Sequence, residues 1–67
     1  MITGIEKLEF VGLFNVTDQF GGVYKQLCFE GFERENDDVR LVVFSDPVSQ
    51  EFFYFDESIA STVIEFA

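Results

Sequence analysis

Histidine and tryptophan are absent from this sequence, and cysteine, proline and methionine occur once each. Without histidine the commonest general base and metal ligand is missing. A closed zinc site draws on several Cys or His ligands, so none is expected. Cys28 has no second cysteine to pair with, which excludes an intrachain disulfide. It also has no histidine to activate it, and its place inside an apolar run reads as a small buried hydrophobe. Basic residues are scarce as well. Four Lys and Arg stand against thirteen Asp and Glu, for a net charge of −9. Binding nucleic-acid phosphates needs clustered Lys and Arg, and an anionic membrane surface attracts the same residues. Neither partner is expected for this chain.

The absences continue at the level of motifs. There is no G-x-S-x-G elbow, P-loop or dinucleotide fingerprint. Gly21-Gly22 reads as a turn signal rather than a phosphate cradle. No apolar stretch approaches the roughly 20 residues of a membrane helix. The segment from Met1 to Glu6 lacks the basic region and apolar run of a secretory signal. Asn15-Val16-Thr17 matches the glycosylation sequon, but with no such signal a cytoplasmic location is expected, where a lone thiol is at home. No enzymatic activity, cofactor or metal is expected.

What the chain does have is phenylalanine: ten residues of 67, in a sequence that is 48% apolar. That content argues against intrinsic disorder despite the charge. The length allows a single domain. A domain this small buries only about 60% of the surface its unfolded chain exposes. Other domains of this size add disulfides, metals or partner subunits. With the first two unexpected here, self-association is the support most open to this one, and a homodimer is expected.

The pattern along the chain is one of short apolar runs and polar punctuation. Ile5 to Val16 reads as a first strand, with Leu8, Phe10, Phe14 and Val16 on one face and a bend at Gly12. Thr17 to Gly22 is a turn. Val23 to Phe32 is the second strand, with Val23, Lys25, Leu27 and Phe29 on one face and Tyr24, Gln26, Cys28 and Glu30 on the other. Glu33 to Asp38 is a polar loop. Val39 to Ser45 is a third strand and Glu51 to Phe55 a fourth, joined by a turn at Asp46-Pro47-Val48-Ser49 in which Pro47 suits the second position. The end of the chain carries both signals. Ile59, Val63 and Phe66 would line one side of a helix, whereas the β-branched run Thr62-Val63-Ile64 favours a strand. A helical turn around Glu57 to Ser61 followed by a strand from Thr62 to Phe66 reconciles the two.

The fold class is therefore mainly β: a small antiparallel meander or a five-stranded SH3- or Sm-like barrel, with at most one short C-terminal helix. The alternative is α+β, a four-stranded antiparallel sheet plus a C-terminal helix. The third and fourth strands are apolar on both faces and so need cover on both. Barrel closure or a second chain would supply it.

Two groups of residues stand out. Glu30, Glu33, Glu35, Asp37 and Asp38 form a candidate acidic interaction surface. Four of them fall within six residues, without the spacing or glycine of a calcium-binding loop. Phe44, Phe52, Phe53, Tyr54 and Phe55 form a candidate core or self-association surface. With no basic groove beside them, these aromatics are not expected to stack nucleic-acid bases. The function expected is that of a non-enzymatic interaction module that offers an acidic surface to a basic partner, such as an inhibitor of phage or mobile-element type that mimics nucleic-acid phosphates. The alternative is a structural or regulatory homo-oligomer whose charge only keeps it in solution.

Overall fold

The computed structural model describes every residue from Met1 to Ala67. A short 3-10 turn, Ile5–Lys7, precedes five strands: β1 (Phe14–Thr17), β2 (Val23–Arg34), β3 (Arg40–Ser45), β4 (Phe52–Asp56) and β5 (Val63–Phe66). They form one antiparallel sheet in the order β4-β3-β2-β1-β5. The first four strands are a meander, and β5 returns to lie beside β1. The sheet is open, with β4 and β5 as its edges. Of the two β arrangements expected, the meander forms and the hydrogen-bonded ring does not close. No helix is long and apolar enough to cross a membrane.

The sheet still wraps a core, because β2 is bent twice. Between the pairs Phe14–Leu27 and Val16–Tyr24, β2 carries one residue more than β1. The extra residue is accommodated at Gln26, which takes φ 58. A left-handed conformation is uncommon for a side-chain-bearing residue inside a strand. The Asn15 side chain accepts the displaced Gln26 N–H at 3.0 Å. A second bulge lies between Phe29 and Gly31, where Gly31 takes φ 130. Bulges bend a strand and sharpen its twist, and here they fold the β3-β4 half over the β1-β5 half. The ring of Tyr24 on β2 accordingly lies 5.2 Å from that of Phe53 and 5.3 Å from that of Phe55, both two strands away on β4.

The bulges also correct the expected faces of β2. An extra residue resets the two-residue alternation, so Tyr24 joins Leu27 and Phe29 on the inner side, while Val23 is exposed. The core comprises Ile2, Phe14, Val16, Leu27, Phe29, Val42, Phe44, Phe55 and Ile64. Phe44 is its hub, with edge-on rings at 6.2 Å (Phe14), 6.0 Å (Phe29) and 5.8 Å (Phe55).

Two further expectations are revised. The long first strand shrinks to Phe14–Thr17. Gly4 and Gly12 both adopt positive φ (88 and 100), and the chain between them makes the 3-10 turn and a loop instead of extended structure. At the other end, residues 57 to 61 form turns and no helix, and the strand from Val63 to Phe66 is present.

The N-terminus contributes a strap. Ile2 N–H donates to Glu57 O at 2.7 Å, Thr3 N–H to Thr62 O at 2.9 Å, and Ile64 N–H to Thr3 O at 2.8 Å. Ile2 is thereby pressed into the core at 2% exposure, on the side the open sheet leaves uncovered.

Candidate functional site

β2 and β3 form a hairpin whose turn, residues 35 to 39, extends beyond the sheet, and the acidic residues sit at that end. Glu35 N–H donates to Val39 O at 2.9 Å and closes the ladder. The turn itself is organised by Asn36, whose side-chain oxygen accepts the N–H groups of Asp38 at 2.9 Å and Val39 at 3.0 Å. An Asn that caps its own turn in this way is a familiar device, and Asn36 was the residue in this loop that composition passed over. Arg34 donates to the main-chain oxygen of Asp37 at 3.3 Å, so its guanidinium holds the turn's backbone and forms no ion pair with a neighbouring carboxylate.

Glu33, Glu35, Asp37 and Asp38 are all exposed. Their side chains take part in none of the hydrogen bonds or ion pairs of the molecule, whose single salt bridge is Arg40–Glu57 at 2.7 Å. They point outward, and no group of three His, Cys, Asp or Glu is arranged to hold a metal ion. Glu30 stands apart from the other four. It lies at the second bulge and accepts the Ser45 hydroxyl at 2.6 Å, so it is tied to β3 while still exposed.

Beside the acidic tip lies a shallow polar cleft lined by Arg34, Asp37, Asp38, Val39, Arg40 and Glu57. Arg40 is committed on two sides. It pairs with Glu57, and its guanidinium carbon rests 4.2 Å above the centre of the Phe32 ring. Two guanidinium groups against three carboxylates leave the cleft net acidic.

The aromatic group divides. Phe44 and Phe55 are core, and Phe53 is half-buried against it. Phe52 and Tyr54 remain 55% and 52% exposed. Directly opposite residues in an antiparallel pair share a face. Tyr54 therefore stands beside Val43, and Phe52 beside Ser45, on the outer side of the sheet. Cys28, paired with Ser45, is on that side too and is partly buried.

Two carboxyl groups are held below the ordinary range. Asp18 is lowered chiefly by the N–H of Gly22, then by those of Phe20 and the Tyr24 hydroxyl, against some desolvation. Asp56 is lowered by the main-chain and side-chain donors of Ser58. Both are turn caps, so these shifts belong to the fold. Comparison with protein-family models, with curated proteins and with solved structures finds no match for this chain.

Proposed function

We propose that this protein is a non-enzymatic interaction module that presents the β2–β3 hairpin to a basic partner. One observation carries the reading: four exposed carboxylates, those of Glu33, Glu35, Asp37 and Asp38, crowd one hairpin end, and Arg34, the one cation among them, forms an ion pair with none of them. Thirteen acidic residues are spread over 67 positions, yet four fall in the six from Glu33 to Asp38. Charge that serves solubility alone needs no such concentration, and like charges this close repel one another. A basic partner reverses the sign of that term. Glu33 near the end of β2 and Glu35 just beyond it are two residues apart, roughly 6.8 Å along an extended chain. Such a row suits a groove that otherwise receives the phosphates of a nucleic acid, and the partner we favour is a protein with a groove of that kind.

Affinity capture from a cell extract tests this with the intact chain and with a variant carrying Glu33→Gln, Glu35→Gln, Asp37→Asn and Asp38→Asn. Basic proteins retained at low salt, released at high salt, lost with the variant and displaced by added nucleic acid are the expected result. A retained set unchanged by neutralisation of the hairpin would refute the reading. Exposed charges are screened within about 10 Å at 0.1 M salt, which is why the salt arm must move the result.

A further inference from the structure

We infer that the free edge of β4 is a self-complementary docking strand that pairs with β4 of a second copy of this chain. The phase of the ladder comes first. Asp46 N–H donates to Glu51 O at 2.9 Å, and Glu57 N–H donates to Arg40 O at 3.1 Å. Bonded pairs in an antiparallel ladder recur at every second residue. Phe53, opposite Phe44, and Phe55, opposite Val42, thus turn their main chain toward β3. Phe52 and Tyr54 turn theirs to the open edge. The two residues of β4 with half-exposed aromatic rings are thus among those, with Asp56, whose main chain faces no strand.

Three of the usual protections of an edge are missing. β4 contains no Lys, no Pro and no bulge, the devices that keep edges from pairing. The other edge is partly occupied, since Thr3 bonds to Thr62 and Ile64 at the start of β5. That strap hinders a head-to-tail chain of β4 on β5, whereas β4 on β4 closes as a two-fold dimer.

Charge selects the register, and apolar character selects the occupant. If the strands cross at Tyr54, Glu51 faces Glu57 of the other copy and Phe52 faces Asp56. If they cross at Phe53, Phe52 faces Tyr54, Glu51 faces Phe55 and Asp56 faces Gln50, so no acid meets an acid. The second register also makes Phe52 and Tyr54 the bonded pair, for about four main-chain bonds across the two-fold axis. Apart from the terminal Asp56, β4 is apolar on both faces, so the strand it suits best is one equally apolar. A second β4 sets Phe52 against Tyr54 and Phe53 against Phe53, with Glu51 against Phe55 at the margin. Aromatic residues bury about 150–250 Å² each. Half of each of four rings gives on the order of 400 Å², which is below the roughly 1,200 Å² of stable interfaces even with the main chain added. The dimer is accordingly weak and concentration-dependent.

Sedimentation velocity over a low- to high-micromolar series, at physiological and at molar salt, tests this. The intact chain is expected to pass reversibly from one to two chains. Salt should strengthen association, because it screens two chains at −9 each. That is the opposite of the salt effect on hairpin binding, and the hairpin-neutralised variant should still dimerise, so the two ideas fail separately. Tyr54→Lys should weaken association at least tenfold, and so should Tyr54→Pro, which removes the outward N–H together with the ring. Amide exchange on the intact chain gives a second readout that needs no variant. The N–H groups of Phe52 and Tyr54 should gain protection as concentration rises. A single-chain mass throughout both salt series would overturn the inference, as would a dimer whose concentration-dependent protection lies away from β4.

Discussion

Asp18 gathers most of the polar groups of the first turn. Its Oδ1 accepts from Phe20 N–H at 2.9 Å and Gly22 N–H at 2.8 Å, and its Oδ2 accepts the Tyr24 hydroxyl at 3.2 Å. The Gly22 contact does most to hold the carboxyl below its ordinary 3.8. A carboxyl with a lowered folded pKa adds stability above 3.8 and loses it as pH falls through the folded value. The Tyr24 hydroxyl is shifted the other way, raised above 10.0 by the same bond to Asp18. Its contribution is complete below pH 10 and is lost as pH rises through the raised value. Denaturant midpoints measured against pH should therefore fall at both ends. Asp18→Asn is expected to flatten the acid limb only in part, because Asp56 is lowered too. Tyr24→Phe should remove its share of the alkaline limb and leave most of the acid limb in place. This turn was readable from Thr17 to Gly22, since Asp and Gly there serve known turn geometry. The hydroxyl latch was not, because Tyr24 reaches Asp18 only once β2 doubles back.

Among the elements, the N-terminal strap depends on a single glycine. Gly4 has φ 88, and a Cβ placed there would run into the carbonyl oxygen of Ile64. Gly4→Ala therefore meets two obstacles. The left-handed backbone alone costs about 1–2 kcal/mol, and the clash with main chain adds to it. The expected outcome is a loss of stability above that range in urea unfolding, with faster amide exchange at Thr3 and Ile64 as the strap leaves β5. Alternation from Leu8 to Val16 promised a long strand, and most of it is a loop. Periodicity records which residues are apolar, but a strand also needs a partner within reach, and β1 finds one only along Phe14–Thr17. The two bulges of β2 left no mark in the sequence apart from Gly31. Gln26 is held at positive φ by a side chain eleven residues away.

Across the whole molecule, both halves of the sheet meet at Phe44, which is fully buried. Phe→Ala in a core costs about 3–5 kcal/mol, against a whole-domain stability of about 5–15 kcal/mol that is least in the smallest domains. Phe44→Ala is expected to shift one cooperative thermal transition far downward, or to leave the chain unfolded by circular dichroism. Phe52→Ala, at concentrations where the chain is monomeric, should cost less than about 1 kcal/mol. The contrast separates two phenylalanines that composition treats alike. Their neighbours in sequence do not distinguish them, but their register in the sheet does.

What the sequence determined by itself is the class of structure and the character of its surface. Short alternating runs bounded by Gly, Asp and Pro are compatible with strands and turns, and ten Phe in a chain at −9 require an aromatic core beneath an acidic exterior. At Val63–Phe66 the sequence left helix and strand both open, although the three β-branched residues in a row favour the strand that forms. What the tertiary structure decided is which aromatics enter the core, which edge stays open, and how the apolar faces are covered. The ring of strands stays open. Two bulges curl the sheet, and Ile2 plugs the gap. These outcomes rest on contacts between residues far apart in the chain, such as Asn15 with Gln26 and Thr3 with Val63. No local pattern encodes such pairs, since their energy appears only when the sheet brings them together.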